Sequence, residues 1–496
     1  MKGYINCRIH GRQDTAFLVD EGRFVQFGSD EEISQKLGWQ DETIDCKGMY
    51  VMPGFIAGGM NLLERGRHKR AISLSSVRTI PEVKRELLKY LDQQQIIAWD
   101  YRPDLFEGEL ERTVLDEITN EKPVIVFSED LNLAVLNSRA LEKADPDLDS
   151  EEEGNRGILT HEGMQYVHDY LAVDDLNILK ETFLRGCEDG PVHGVTTAVS
   201  DDFAVMSKDY KAPLTMLEQL AYQQKLPLHV LEDCTFRNAK EYAAFLDEGY
   251  TEFVENYNLA IGRLKIRADG SLISHTAALT QPYQDKAGVY GVLHYIDKDM
   301  EMLATLANHF NSGVAFEADG DGAVDQVLDI LEDMMYEGNP LKDMLSPCAL
   351  VSKGQLSRII SHQIACGLAP SAVEKNRGLM EKTVERRLMR QAYPYHTLFE
   401  KVPVMGIAAD GNVLQAVEDA VTREDDERLS LDEALSLYTD RAAEALMIYD
   451  HTGFLKEGYD ADFTVLEQDP HEVDVHDIHR IKVMITEVRG ETVFER

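Results

Sequence analysis

The stretch Val51-Met52-Pro53-Gly54-Phe55-Ile56-Ala57-Gly58-Gly59-Met60-Asn61-Leu62-Leu63 decides the fold of this chain. An apolar, β-branched run meets Pro-Gly, continues as a short apolar segment and ends at glycines. This pattern predicts a buried strand whose C-terminal end opens into a loop. The strand stands between two regions of different character.

Both ends of the chain show the alternation of antiparallel β-structure. In residues 1–50, apolar and alternating segments are separated by Gly-containing turns, which is the signal of hairpins. The segments Asp462 to Leu466 and Lys482 to Val488 repeat this style near the C-terminus. We therefore predict that residues 1–52 and 445–496 form one composite β-sandwich.

Residues 53–444 alternate short apolar strands with longer helical segments, which predicts an α/β fold with a parallel sheet. With the opening strand there are about eight strands, a number that favours a (β/α)8 barrel over a doubly wound sheet. The region of about 64–170 breaks the rhythm, and either an inserted subdomain acting as a lid or a decorated loop fits it. The other candidate strands are Ile96 to Tyr101, Val124 to Phe127, Val195 to Val199, Leu228 to Leu231, Leu264 to Arg267, Val314 to Phe316 and Val402 to Ile407.

Composition limits the partners of the protein. The chain has 89 Asp and Glu but only 50 Lys and Arg, which gives a formal net charge of −39. Nucleic acid and anionic membranes bind to basic surfaces, so this charge argues against both as partners. The six cysteines form no Cys-x-x-Cys pair, so neither a zinc ribbon nor a dense disulfide frame is expected. The chain start lacks an apolar signal core, and no run of about 18 apolar residues occurs. We predict a soluble, cytoplasmic protein and, from base rates, a homodimer.

Several landmarks, spread over nearly the whole chain in a fixed order, give it a family resemblance. The chain resembles amidohydrolase family 3, a branch of the amidohydrolase superfamily that contains N-substituted formamide deformylases. The landmarks are Val51 to Ile56, Leu136-Asn137-Ser138-Arg139-Ala140-Leu141, Gly194-Val195-Thr196-Thr197, Leu264-Lys265-Ile266-Arg267-Ala268-Asp269-Gly270-Ser271-Leu272, Thr276 to Leu279, and Gly453 to Asp462.

The resemblance implies a barrel enzyme that hydrolyses non-peptide C–N bonds of small amides. In such barrels one or two divalent metals lower the pKa of bound water and polarise the carbonyl group. The family holds the metal with a His-x-His pair after the first strand, often a carboxylated lysine, two further histidines and an aspartate, which also serves as general base.

Carried over residue by residue, the resemblance keeps Lys265 and Asp410 but loses the histidines. Gly59 and Asn61 stand at the His-x-His pair, and glycine has no ligand atom. Glu317 and Pro347 stand where the family has its two other metal-binding histidines, and Asn132 stands at the position of a further family histidine.

We therefore predict that no cofactor is bound and that hydrolysis is lost or altered. Two alternatives stay open for the retained residues. One is a weakly held divalent ion on oxygen ligands such as Glu317, Asp410 and Asn61, with Lys265 and Asp410 as the family's metal positions. The other is an ion pair between Lys265 and Asp410 inside the barrel, which needs no catalysis.

Two functions also remain open. In the first, Asp410 is a catalytic base, and Lys265 or a weakly held ion stabilises developing negative charge. In the second, the protein binds a small molecule without turnover, in a mouth lined by Gly59, Asn61, Asn132, Lys265 and Glu317.

Overall fold

The computed structural model describes residues 1–145, 155–160, 162–203, 205–236, 238–250, 258–334 and 343–496. No helix in these ranges is long and apolar enough to cross a membrane. All six cysteines are buried and free.

The N-terminal segment is mainly β-structure. Its strands β4, β3, β1 and β5 form one sheet in that order, while β2 and β6 belong to a second sheet. The elements are β1 (Lys2–Ile5), β2 (Arg8–Ile9), β3 (Ala16–Asp20), β4 (Arg23–Gly28), α1 (Asp30–Ser34), β5 (Glu42–Asp45) and β6 (Tyr50–Pro53).

The apolar run at 51–57 serves two sheets. β6 ends at Pro53, and β7 (Phe55–Ala57) begins the central sheet. Gly54 lies between them, where an added Cβ would be 2.2 Å from the Thr196 hydroxyl. No other residue type fits this approach, so Pro-Gly turns the chain from one sheet into the other. Helix α2 (Leu62–His68) follows.

The next segment carries a separate five-stranded sheet of order β12-β11-β10-β9-β8 in its described residues, 72–145 and 155–160. We call this segment the insert. Its elements are β8 (Ile72–Ser73), α3 (Ile80–Leu87), a 3-10 turn (Leu88–Tyr90), β9 (Ile96–Tyr101), α4 (Arg112–Asp116), β10 (Val124–Ser128), β11 (Leu133–Leu136), α5 (Ser138–Ala144) and β12 (Ile158–Thr160).

The central sheet is an eight-stranded parallel barrel. Strands follow one another in chain order from β7 to β19, and a parallel bridge between Gly58 and Ile407 joins the first to the last. The predicted (β/α)8 fold is confirmed. Besides β7, the strands are β13 (Val195–Ser200), β14 (His229–Cys234), β15 (Leu259–Arg267), β16 (Val314–Glu317), β17 (Met344–Ser346), β18 (Ala365–Leu368) and β19 (Val404–Gly406).

Helices surround the barrel and bury their apolar faces against it. The first helix after the insert, α6 (Glu162–Leu171), packs on the insert instead, through Met164 and Val167. The helices around the barrel are α7 (Leu176–Cys187), α8 (Asp189–Val192), α9 (Lys211–Tyr222), α10 (Ala239–Asp247), α11 (Asp297–His309), α12 (Asp321–Met334), α13 (Lys353–Ser361), α14 (Pro370–Thr383), α15 (Arg386–Met389), α16 (Tyr395–Lys401), α17 (Val413–Val421), α18 (Leu431–Ser436) and α19 (Asp440–Ala445).

The C-terminus returns to the N-terminal strands, as predicted. β20 (Phe463–Leu466), β21 (Val483–Val488) and β22 (Glu491–Glu495) extend the second sheet to the order β2-β6-β20-β21-β22, with 3-10 turns at Pro470–Glu472 and Ile478–Arg480. Tyr4 and Phe17 of the first sheet pack on Phe463 with ring centroids 5.0 and 5.1 Å away. The two sheets thus share one apolar core and form a sandwich.

Two of the predicted barrel strands were wrongly placed. Ile96 to Tyr101 and Val124 to Phe127 are strands, but they pair with each other in the insert. The barrel uses β17 and β18 instead, which the sequence did not reveal because neither strand contains a β-branched or aromatic residue. The domain boundaries at 52 and 444 stay predictions.

Candidate functional site

The mouth of the barrel lies at the C-terminal ends of its strands, where such barrels place their functional groups. β15 brings three basic residues to one face, because Arg263, Lys265 and Arg267 alternate along it. Arg263 is 1% exposed, whereas the side chains of Lys265 and Arg267 are 13% and 46% exposed. The series therefore runs from the buried interior of the barrel to its open end.

Lys265 and Arg267 share two carboxylates, that of Glu317 on the neighbouring strand β16 and that of Asp201, which directly follows β13. Lys265 Nζ lies 3.1 Å from Glu317 Oε2 and 3.5 Å from Asp201 Oδ2. Arg267 Nη2 donates to Asp201 Oδ2 at 2.9 Å, and its Nε lies 3.6 Å from Glu317 Oε2. We call Asp201, Lys265, Arg267 and Glu317 the mouth quartet. Two positive and two negative charges balance within it.

The electrostatics of the quartet follow from these contacts. Lys265, helped by Arg267, lowers the pKa of Glu317 to about 2, against the opposing effect of burial. Burial lowers the pKa of Lys265, but Glu317 and Asp201 outweigh it, and the net change is upward. Both pKa changes keep these side chains charged, Lys265 as an ammonium ion and Glu317 as a carboxylate.

Gly59 and Asn61 lie just after β7, where the resemblance placed them. Gly59 has φ +73°, and a Cβ there would be 3.1 Å from Ile407. Asn61 is the N-cap of α2 in a left-handed conformation, but its side chain does not cap the helix. Its Oδ1 is buried and accepts no hydrogen bond from the described residues. Asn61 thus offers one free oxygen close to the mouth.

A buried polar cluster holds the start of α2 in place of a cap. Leu62 N donates to Ser200 Oγ at 2.9 Å, and Leu63 N donates to Asp202 Oδ1 at 2.7 Å. Asp202 N in turn donates to Glu232 Oε1 at 2.6 Å. Burial raises the pKa of Asp202 to about 7 and raises that of Glu232 well above its usual value. This cluster fixes the loop that carries Gly59 and Asn61.

Asp410 does not join the quartet. It is exposed in the loop after β19, and its Oδ1 accepts a hydrogen bond from Asn412 N at 3.0 Å. Across the described residues, no ion pair connects it to Lys265, whose partners are Asp201 and Glu317. The predicted Lys265–Asp410 pair is therefore wrong. A catalytic role for Asp410 stays a prediction.

Two further predicted positions lie at the mouth or above it. Pro347 follows β17 directly. Asn132 lies in the turn between β10 and β11 of the insert, where its Nδ2 donates to the Asp130 carbonyl at 3.0 Å. Asp130 Oδ2 accepts a hydrogen bond from Ser274 Oγ at 2.7 Å, and Ser274 belongs to the loop after β15. The structure therefore brings the Asn132 turn to the barrel mouth.

A second cluster, which sequence reasoning missed, lies at the opposite end of the barrel. His229, Asp460 and Asp462 each place a ligand atom within 4.8 Å of the others, a geometry that could hold a metal ion. His229 Nε2 lies 3.1 Å from Asp462, and Asp462 also accepts bonds from Thr452 Oγ1 and Arg489 N. His229 also lines a cavity of about 240 Å³. The sequence did not reveal the cluster because His229 lies more than 200 residues before the two aspartates.

The closed parallel barrel and the sandwich built from both termini define a fold of the amidohydrolase type. The model of the amidohydrolase family matches residues 42–494. The chain belongs to this family.

The chain is also similar to proteins of known sequence and structure. The chain is 26% identical to the putative amidohydrolase YtcJ of Bacillus subtilis, over 98% of this chain and 97% of that protein. It is 23% identical to the protein LONG AFTER FAR-RED 3 of Arabidopsis thaliana, over 97% and 88%. An uncharacterized metal-dependent hydrolase from Pyrococcus furiosus superposes with a TM-score of 0.77 at 23% identity, over 95% of this chain and 99% of that chain. The likeness to the Pyrococcus furiosus structure shows that the two chains share a fold.

Proposed function

We propose that this protein is an amidohydrolase-family barrel that binds a small molecule at its mouth, and that the usual histidine-held metal is not part of this site. The observation that carries the proposal is the Lys265–Glu317 pair at 3.1 Å. It joins the two residues that stand at the family's lysine and histidine ligand positions. A lysine held as an ammonium ion cannot be carboxylated, and a carboxylate that faces two cations is already neutralised.

The remaining positions do not make up for this loss. Gly59 and Pro347 have no side-chain ligand atom, and Asp410 is exposed outside the quartet. Asn61 offers a single amide oxygen, which is a poor ligand for zinc-like ions. Because these residues do not fit the family's metal, conventional metal-assisted hydrolysis of C–N bonds is lost or altered in this chain.

The quartet supports recognition of a polar ligand instead. Arg267 and Glu317 have side chains 46% and 43% exposed, so both present hydrogen-bonding atoms to a molecule in the mouth. Since the charges already balance, a ligand without net charge leaves the quartet intact. The barrel frame holds these groups on rigid strands, which favours specific binding.

Metal analysis of protein purified without chelators tests the proposal. We expect no zinc, iron or manganese that depends on the mouth, so that the metal content of Lys265→Met and of the control Lys69→Met equals that of the natural protein. A stoichiometric ion that Lys265→Met removes would refute the proposal. A thermal-shift screen of amides, lactams and other small polar molecules should give ligands whose effect is lost in Glu317→Gln.

A bound metal is favoured by a different observation, the His229, Asp460 and Asp462 cluster. Asp460 Oδ1 is buried without a hydrogen bond, although Arg23 Nε lies 3.6 Å away. An ion there would have a structural effect at the junction of barrel and sandwich, far from the mouth. Metal that is lost in His229→Ala but kept in Lys265→Met would support this second site and leave the mouth proposal standing.

A further inference from the structure

The insert has apolar cores of its own. On one face of its sheet, Val83, Leu115 and Val126 belong to one buried cluster, and on the other face Trp99 and Phe127 belong to a second. Neither cluster includes a residue of the barrel strands. The insert therefore holds together as a body without help from the barrel core.

The tip of the insert, Glu129 and Asp130, crosses the barrel mouth. Asp130 accepts hydrogen bonds from Ser271 Oγ and Ser274 Oγ, which follow β15. Glu129 pairs with Lys375 on α14, the helix that follows β18. In the barrel, β16 and β17 lie between β15 and β18. The tip thus spans the end of β16, where Glu317 of the quartet lies.

The contacts at the tip are polar and partly open to water. The side chain of Lys375 is 57% exposed and that of Glu129 is 24% exposed. Exposed ion pairs and hydroxyl–carboxylate bonds exchange readily with water and contribute little to stability. Such contacts can open while the apolar cores on both sides stay closed.

The base of the insert is held more firmly, at the end of α2. The Arg67 guanidinium lies 4.6 Å from the centroid of the Trp99 ring, and His68 Nε2 lies 2.8 Å from Asp100 Oδ1. Helix α2 itself packs so closely on α7 that a Cβ on Gly66 would be 1.7 Å from the Thr182 carbonyl oxygen. The base is therefore coupled to the barrel wall by packing as well as by polar contacts, while the tip is coupled to it by polar contacts alone.

We infer that the insert is a hinged lid. It pivots at the end of α2, and Glu129 and Asp130 latch its tip across the mouth quartet through Lys375, Ser271 and Ser274. Opening of the latch admits a ligand, and closure shields it from water. The inference rests on the proposed function only for the location of the site that the lid covers.

Distance measurement between two spin labels tests the lid. Cysteines replace Glu142 on α5 of the insert and Glu301 on α11 of the barrel, both exposed, while the native cysteines are buried. With the latch intact we expect one main distance by pulsed electron paramagnetic resonance. Glu129→Gln and Lys375→Met each remove one partner of the same ion pair. Each should at least double the fraction of molecules in which the two labels lie farther apart.

Glu109→Gln is the matched control, because Glu109 pairs with Arg156 inside the insert. It should leave the distance distribution unchanged. A thermal unfolding curve for each variant confirms that it is folded, and Asp130→Asn gives an independent break of the latch. If all three latch variants keep the single distance, or if Glu109→Gln has the same effect as they do, the insert is a fixed cap and the inference is wrong. Because the readout is a distance, this outcome is separate from the metal and ligand tests of the proposed function.

Discussion

Lys265 and Glu317 lie on adjacent strands of the barrel, with Nζ and Oε2 3.1 Å apart, at positions where the family resemblance implies metal ligands. Arg267 and Asp201 complete the arrangement. Side-chain cations thus neutralise the two carboxylates of the mouth quartet. This organisation makes the site depend on ion pairs, whose strength can be changed one residue at a time.

Removal of the lysine should release Glu317. In Lys265→Met we expect the pKa of Glu317 to rise from about 2 toward 4.5, the ordinary value for a glutamate, because the largest cause of its lowering is gone. Arg267 remains nearby and keeps the rise incomplete. Carbon-13 NMR titration of the side-chain carboxyl, assigned with Glu317→Gln, measures the change. Lys69→Met is the control, since Lys69 pairs with Glu188 outside the quartet. An unchanged titration in Lys265→Met would contradict the ion pair.

The buried cluster below α2 should make stability fall as pH rises. The folded state keeps a proton on Asp202 up to about pH 7, whereas the unfolded chain releases it near 3.8. The stabilisation that Asp202 contributes is therefore greatest below about pH 4 and decreases up to about pH 7, by on the order of 4 kcal/mol for such a group. Glu232→Gln removes the neighbouring carboxylate and should flatten this decline, so that the variant is more stable than the natural protein at pH 8.

Urea unfolding at a series of pH values measures this effect. The exposed Glu301→Gln is the control and should follow the natural protein at every pH. A parallel decline in Glu232→Gln would show that the cluster does not cause the pH dependence.

The periodicity of the sequence predicted the barrel and the sandwich but not every strand. Alternation and repeated strand–helix units are local patterns, so they located β13 to β16 and the terminal sheets. β17 and β18 contain no β-branched or aromatic residue, so their sequences do not indicate a strand. The assignment of β9 and β10 failed for a different reason, because a parallel strand of the insert has the same apolar run as a parallel strand of the barrel.

The site was predicted in part. Lys265 and Glu317 were named as lining residues, and the structure places them in contact. Arg267 was missed although it stands in the same motif, and its alternation with Lys265 on a strand was the available signal. Asp201 could not be told from Asp202 in sequence. Only the fold shows that Asp201 faces Arg267 while Asp202 turns to the start of α2.

The junction of barrel and sandwich should also respond to pH. Burial lowers the pKa of His229, but Asp462 outweighs burial and the net change is upward. A raised histidine pKa stabilises the fold below the unfolded value near 6.5, and this contribution is lost as pH rises through the folded value. In His229→Gln we expect the part of the decline above pH 6.5 to disappear. The exposed His476→Gln should behave as the natural protein. Thermal unfolding between pH 5 and 9 measures this difference. If both variants show the same dependence of unfolding temperature on pH, His229 has no role in it.

The close packing of α2 on α7 gives the last prediction. Gly66 faces a backbone carbonyl, and its counterpart Gly186 would place a Cβ 1.8 Å from the Leu62 carbonyl oxygen. Backbone atoms cannot move aside as a side chain can, so Gly66→Ala must separate the helices and should cost about 3 kcal/mol. Gly378, in α14, has no atom within 4 Å of an added Cβ. Gly378→Ala should therefore stabilise the protein by about 0.5–1 kcal/mol through helix propensity alone. Urea unfolding of both variants tests the contrast, and equal effects would mean that the two helices are not in this contact.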